Sequence, residues 1–430
     1  MTMPIGTIVK LTREHNLTGE IGSLNNLYSS VEDLDEEYMN TERKELLLNA
    51  RSATSVYNRS LKLDLTNSTS SGFYACGGSN CQTITYYHTA FCQCGKPIDR
   101  SLRLPSSPPM DGGVFVKPTA RFMITDAFRL LPMSIMTGIS LLSDFGAIGE
   151  SKKEERTLKI GKHEIVKLLK CSLTSRTPLS DALLADHTKQ DTLGEYRQST
   201  HEFRKLTRTA NTDSEIRFKL IYDTVNNKAI CAEVEENFVD VLFSFLAIPI
   251  GYAFKEPSCL SSKGCMGNLY GSILDFDVTK FFKSEEMKEM LVNPKLAPGL
   301  VLDNKMIGIE EAVNPSYNTL TDTFQAVSVN FSSESPLGEP KAGGGFLKGS
   351  SLFMVTDNLS ITPLSSISGI SLINRLMVPL EDVGELEMTM GKEEACRLLA
   401  GCLLSRTALT DAFMLKEPKQ EPRGDELVYV

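Results

Sequence analysis

Two stretches of this chain occur twice, in the same order. Residues 111–141, DGGVFVKPTARFMITDAFRLLPMSIMTGISL, match residues 342–372, AGGGFLKGSSLFMVTDNLSITPLSSISGISL, at an offset of 231. Residues 161–184, GKHEIVKLLKCSLTSRTPLSDALL, match residues 391–414, GKEEACRLLAGCLLSRTALTDAFM, at an offset of 230 with 12 of 24 positions identical. Weaker matches pair Pro4-Ile5-Gly6 with Pro249-Ile250-Gly251, and Asn25-Asn26-Leu27-Tyr28 with Gly267-Asn268-Leu269-Tyr270. Ordered self-similarity at this period implies two copies of one unit, so the fold must be one that can be built twice.

The copies differ at their starts. Residues 217–248, RFKLIYDTVNNKAICAEVEENFVDVLFSFLAI, precede Pro249 and have no counterpart ahead of Pro4. FKLIYD and AICAEV read as strands joined by a turn at residues 225–228, and NFVDVLFSFLAI as an apolar helix. The expected organisation is a truncated first unit at 1–185 with a Cys-rich insertion at 72–100. A polar linker at 186–213, a complete second unit at 214–416 and a polar tail at 417–430 follow. The second unit is expected to fold alone, whereas the first needs a substitute element, for instance from another chain.

Periodicity fills in the rest. FMIT at 122–125 and FMVT at 353–356 read as short buried strands, and residues 135–142 and 367–376 as short helices. Residues 158–160 and 386–390 are strand candidates, each followed by glycine and an amphipathic helix. Ile165, Leu168, Leu169 and Leu173 mark the apolar stripe of one helix, and Leu398, Leu399 and Leu403 that of the other. Thr177-Pro178 and Thr407-Ala408 then restart a helix with threonine as N-cap. Each unit is thus a mixed α/β or α+β fold.

Composition excludes several partners. At 430 residues two or three domains are expected, and a 41% apolar and 23% charged chain is ordinary for a globular protein. A net charge of −9, with only short basic clusters at 152–156 and 204–208, argues against nucleic acid. The opening MTMPIGTIVK lacks the features of a secretory signal. The apolar run at 239–254 contains Asp240, Pro249 and Gly251; it is too short for a bilayer and reads as a buried helix ending at the proline. The expectation is a soluble intracellular protein, cytoplasmic or nuclear, off the membrane, with its ten cysteines mostly reduced.

The combination of VDVLFSFL, PIG, NLY, FMVTD, PLSSISGISL and LLAGCLLSRTALTDAF resembles the plant family catalogued as domain of unknown function 674. The resemblance covers almost the whole chain. It implies an intracellular plant protein, often with tandem units that open with the strand-turn-strand seen here from Arg217, and it implies no assigned activity or catalytic residues.

One segment suggests a metal. Cys76, Cys81, Cys92 and Cys94 fall within FYACGGSNCQTITYYHTAFCQCGKPIDR as C-x4-C-x10-C-x-C. Thiolates bind zinc tetrahedrally, and paired cysteines at glycine-bearing turns close zinc-ribbon-like sites. The spacing departs from the usual two intervening residues, and His88 could replace one sulfur. One structural zinc is the first reading; free thiols in a surface insertion and a redox role are the alternatives. Four protein ligands would leave no open position for catalysis. Cys259 and Cys265 lack a second pair and read as ordinary thiols.

Catalytic signals are weak. GGGFLKGS at 343–350 precedes a strand and lacks the phosphate-loop order, so it reads as a turn. The five histidines all precede the second copy, which excludes a serine- or cysteine-protease arrangement there. Polar residues recur in both copies: Lys117 and Lys348, Thr125-Asp126 and Thr356-Asp357, Ser134 and Ser365, Ser175-Arg176-Thr177 and Ser405-Arg406-Thr407, Asp181 and Asp411. They could line a ligand pocket. The structural account assigns Thr-Asp to turns, Ser134 and Ser365 to helix starts, Thr177 and Asp181 to a capped first turn, and the arginines to helix C-terminal carbonyls or the aspartates. The leading expectation is therefore a non-enzymatic interaction or scaffold protein with a protein partner that no sequence feature names. The alternative is a small-ligand-binding protein or enzyme using the repeated Lys, Asp and Arg residues.

Overall fold

IRFKLIYD, alternately buried over residues 218–220, and KAICAEVE, buried on both faces over residues 229–232, form the antiparallel strands Ile216–Asp223 and Lys228–Glu235. Their turn is closed by the Asp223 carboxylate, which accepts the Val225 and Asn226 N–H groups at 2.9 Å. This hairpin sits inside a five-stranded sheet with the order Val383–Met390, Ile216–Asp223, Lys228–Glu235, Leu352–Thr356, Ile361–Pro363. All neighbours run antiparallel. With helices between and after the strands, the fold class is α+β. The computed structural model describes residues 1–39, 41–54, 65, 73–75, 84–85, 96, 100–102, 114–144, 154–184, 215–255, 260, 264–297, 306–312, 345–349 and 351–414.

The sequence-matched blocks adopt matching local structures. Phe122–Ile124 pairs with Leu130–Pro132 as Leu352–Thr356 pairs with Ile361–Pro363. Both turns place a bulky residue in the left-handed region, Phe128 at φ 60° and Leu359 at φ 58°. Helices Ile135–Asp144 and Ser366–Arg375 follow, then helices Lys162–Thr174 and Lys392–Leu404. The last two begin alike: Glu164 accepts the Gly161 N–H at 2.8 Å and Glu394 accepts that of Gly391 at 3.0 Å.

Helices cross between the two halves. Helix Leu24–Asp33 lies on strand Ile361–Pro363 and helix Glu236–Ser244. There Ser30 Oγ accepts the Ile361 N–H at 2.8 Å, and Asn26 Nδ2 donates to the Asn358 carbonyl at 2.9 Å. In the mirror arrangement, helix Gly264–Asp275 lies on strand Leu130–Pro132. Ser272 Oγ accepts the Leu130 N–H at 3.1 Å, and Asn268 Nδ2 donates to the Ala127 carbonyl at 2.8 Å. Ser23 Oγ likewise donates to the Ser405 carbonyl at 2.6 Å, and Cys265 Sγ to that of Ser175 at 3.3 Å. One apolar core accordingly takes in Ile5, Leu24 and Leu27 together with Phe238, Leu242, Phe353 and Leu399. Each such side chain contributes roughly 1.5–3 kcal/mol on burial, and these contributions tie both halves together.

Three expectations need correcting. The apolar helix is Glu236–Ser244, not a helix reaching residue 248, because residues 245–248 tighten into i→i−3 turns before Pro249 precedes helix Ile250–Lys255. Residues 158–160 are not a strand. Their counterpart Val383–Met390 is held in the ladder by Ile216–Asp223, and the first half has no such hairpin beside residues 158–160 among the described residues. Strand Phe122–Ile124 is only partly covered, for the same reason. The expected linker and tail lie outside the described residues.

Candidate functional site

The repeated aspartates cap helices that lie far along the chain. Asp357 follows strand Leu352–Thr356, and its carboxylate accepts the Thr410 N–H and the Thr410 hydroxyl, both at 2.8 Å. Asp126 follows strand Phe122–Ile124 and accepts the Leu179 and Ser180 N–H groups at 2.9 and 3.0 Å and the Ser180 hydroxyl at 2.6 Å. A carboxylate over the free N–H groups of a first turn satisfies donors that have no partner within the helix and meets the positive end of its dipole. Burial pushes the Asp357 carboxyl up to about 6, with the Thr410 hydrogen bonds pulling the other way. Thr407, the expected N-cap, makes no such bond; its hydroxyl pairs with Ser405 Oγ at 3.0 Å instead.

The repeated lysines and serines are also committed to structure. Lys348 donates from its backbone to the Tyr38 carbonyl at 2.7 Å and from Nζ to the Glu36 carbonyl at 2.6 Å. Lys117 makes the equivalent pair with the Phe281 and Thr279 carbonyls. Ser134 Oγ accepts the Thr137 N–H at 3.0 Å, as a helix start should. Ser365 stands at the equivalent N-cap and makes no side-chain cap bond. Ser175 and Thr177 hydroxyls both donate to the Asp181 carboxylate.

Arg406 departs from expectation. It touches neither helix-end carbonyls nor the aspartates: its guanidinium is largely exposed and pairs with Glu20 at 3.4 Å. No hydrogen bond or ion pair joins Lys348, Asp357 and Arg406 to one another among the described residues. The structure gives each a separate neighbour.

A charged constellation that the sequence reading passed over lies at Asp240. Its carboxylate accepts the Phe346 N–H at 2.8 Å and the Leu347 N–H at 3.3 Å, while Arg43 donates to the Phe346 and Leu347 carbonyls at 3.1 and 2.8 Å. Both edges of the 345–347 backbone are thereby held by opposite charges. Burial pushes Asp240 up to about 6 and lowers Arg43. A Cβ on Gly345 would stand 1.6 Å from Asp240 Oδ2, so only glycine fits. This explains Gly345, the last of the glycine run, as the point where the backbone docks on Asp240. The available signal was an aspartate inside the apolar run VDVLFSF, a place where a carboxylate needs a built partner.

Cys76, Cys81, Cys92, Cys94 and His88 lie outside the described residues. The strands around them in sequence, Phe73–Ala75, Ile84–Thr85 and Arg100–Leu102, form a three-stranded antiparallel sheet. Among the described residues no group of histidine, cysteine and carboxylate side chains is gathered for a metal. Cys265 is a buried thiol, raised to about 11 by burial, and is used in packing.

Comparison with known proteins then fixes kinship. The family model described as "Protein of unknown function (DUF674)" matches residues 1–393. The chain belongs to the DUF674 family. No curated protein and no solved structure matches it.

In this DUF674 chain the outward surface is more distinctive than the polar residues. Helix Ile135–Asp144 exposes Ile135, Met136 and Ile139, and helix Ser366–Arg375 exposes Ile367 and Ile370. Met136 and Ile139 match Ile367 and Ile370 in sequence at the offset of 231. Exposed apolar side chains placed alike on two helices mark surfaces suited to contact with another protein. No helix among the described residues is long and apolar enough to cross a membrane.

Proposed function

We propose that this chain is a non-catalytic protein-binding scaffold made of two copies of one unit whose helices are exchanged between the copies. The observation that carries this reading is the contrast just described: the repeated aspartates and lysines are each engaged separately as caps and carbonyl ties, whereas the matching apolar residues Met136, Ile139, Ile367 and Ile370 face out. An enzyme or small-ligand protein would be expected to gather its repeated Lys, Asp and Arg side chains in a cavity. The expected partner is a protein presenting an apolar face; neither nucleic acid nor a membrane is proposed.

The test is a fourfold variant, Met136→Lys, Ile139→Lys, Ile367→Lys and Ile370→Lys. It should melt like the unmodified chain, since all four side chains are exposed, and lose the proteins that copurify with the chain from its native tissue. Retention of the same partners by the folded variant would remove the reading. Turnover of a small molecule, abolished by Asp357→Asn, would support the enzyme alternative instead.

A structural zinc on Cys76, Cys81, Cys92 and Cys94 belongs to the same proposal. It is supported by the antiparallel pairing of Phe73–Ala75 with Ile84–Thr85, which flank Cys76 and Cys81 in the chain. Metal analysis of freshly reduced protein should give close to one zinc per chain, lost in Cys76→Ser with Cys94→Ser. An intracellular setting is supported by the buried reduced thiols of Cys231, Cys265, Cys396 and Cys402.

A further inference from the structure

The two edges of the five-stranded sheet are finished differently. Strand Ile361–Pro363 closes one edge with three residues, the last of them a proline. Helix Leu24–Asp33 lies on it, and Ser30 Oγ accepts the Ile361 N–H at 2.8 Å. Shortness, proline and a covering helix are the usual means of keeping an edge from recruiting another strand. Strand Val383–Met390 forms the other edge. It is eight residues long, contains no proline and keeps unbroken register with Ile216–Asp223.

Ladder geometry fixes which backbone groups of this edge point outward. The Thr224 N–H donates to the Asp382 carbonyl at 2.8 Å, so Gly384, Leu386 and Met388 turn their backbone groups toward Ile216–Asp223. Glu385, Glu387 and Thr389 alternate with them and turn theirs away. Among the described residues nothing is hydrogen-bonded to the N–H or carbonyl groups of these three. Side chains follow the same alternation. Glu385 and Glu387 share one sheet face with Lys219, which pairs with Glu385 at 2.9 Å. Leu386 stands on the other face, opposite Leu220, and is 39% exposed. Glu381 and Asp382 precede the strand, so the stretch EDVGELE at 381–387 carries carboxylates and no cation.

We infer that the outer edge of Val383–Met390 docks an extended antiparallel segment of a partner protein in which lysine or arginine alternates with apolar residues. The added strand pairs its backbone with Glu385, Glu387 and Thr389, sets basic side chains beside the two glutamates and lays an apolar one over Leu386. Main-chain hydrogen bonds supply affinity in this mode, and side-chain alternation supplies specificity. A second copy of this chain is the wrong occupant. Paired antiparallel about Leu386, two such edges would set each Glu385 opposite the other copy's Glu387, and like charges facing across a ladder repel. The edge works through the main chain of a strand and not through the outward helix faces, so either proposal can fail without the other.

The probe is an acetylated, fluorescein-labelled octapeptide alternating lysine with valine, added to the full chain and followed by fluorescence anisotropy and residue-resolved amide exchange. The expected result is saturable binding at one peptide per chain, with exchange slowed at the Glu385, Glu387 and Thr389 amides. The same peptide methylated on its lysine amides keeps its charge but cannot complete the ladder, and should bind at least tenfold more weakly. A full chain with Glu385→Gln and Glu387→Gln, which alters only exposed side chains, should melt normally and also bind at least tenfold more weakly. Binding no tighter than that of a peptide alternating glutamate with valine would overturn the inference. So would equal binding of the methylated peptide, which indicates charge attraction without strand addition, or equal binding by the double variant. If the unmixed chain sediments as a dimer in which the Glu385 and Glu387 amides already exchange slowly, the occupant is a second copy and the inference as stated is wrong.

Discussion

Pro4 and Pro249 face each other across an antiparallel bridge. The Ile5 N–H donates to the Ile248 carbonyl at 2.9 Å and the Ile250 N–H to the Met3 carbonyl at 2.8 Å. Outside these, Gly6 donates to Leu246 and Gly251 to Met1, both at 2.8 Å. Residues matched in sequence are therefore also partners in space, as at a local two-fold axis. Gly251 is needed there, because a Cβ would stand 2.9 Å from the Met1 carbonyl oxygen, and one on Gly6 would press on that of Leu246 at 3.0 Å. Gly6→Ala and Gly251→Ala should each lower stability by about 1–3 kcal/mol, read as an earlier denaturant midpoint, by forcing the two backbones apart. Unchanged midpoints would mean that the bridge is not tight in solution.

Asp126 reaches across 54 residues to cap the turn at Ser180. Asp126→Ala removes an acceptor from two N–H groups and a hydroxyl, and is expected to cost about 1–2 kcal/mol. Ser180→Ala should cost less than the aspartate change, since the two backbone bonds survive. A double-mutant cycle checks the coupling.

Arg406→Ala should change stability by less than about 1 kcal/mol, because an exposed ion pair with Glu20 is screened by water and salt. Glu20→Ala should match it, and high salt should erase any difference. A large loss from either change would contradict the exposed geometry.

Acid should stabilise this protein over one window. Asp240 and Asp357 titrate near 6 in the folded chain, against roughly 3.9 when unfolded. Between those values the folded state holds protons that the unfolded state has released, so stability falls as pH rises from about 4 to about 6. The upper limit is about 3 kcal/mol per group. Asp240→Asn keeps an oxygen to accept the Phe346 N–H, and the denaturation midpoint of this variant should vary less across that window than the unmodified chain's. Parallel pH profiles would show that Asp240 stays ionised throughout.

The sequence exposed the pattern of this fold better than its assembly. Strand alternation in FKLIYD and AICAEV, the apolar stripe of LLAGCLL and the turn at Asn226-Asn227 are local signals, and all appear where periodicity puts them. The contacts of helices across the two halves are made by pairs such as Ser30 with Ile361 and Ser272 with Leu130, whose members lie hundreds of residues or more than a hundred apart. No local periodicity encodes such a pairing. The polar residues were legible as structural, yet their partners were not: Asp357 looked like part of a turn and is a distant cap, and Arg406 looked like a tie and is a surface charge. Asp240 was visible as a carboxylate among apolar neighbours, but its partner backbone at 346–347 enters from 106 residues away.

The bond from Ser23 Oγ to the Ser405 carbonyl spans 382 positions. During synthesis at about 5–20 residues per second, helix Leu24–Asp33 is complete roughly 20 to 75 seconds before its partner at 402–405 has been made. For that interval the newborn chain carries Leu24, Leu27 and Val31 without their partners from the later half, and Ile361 arrives only late. Such a molecule completes the contacts between its halves only once both have been made. Its production depends on what shelters the early helices on the ribosome until the last fifty or so residues emerge.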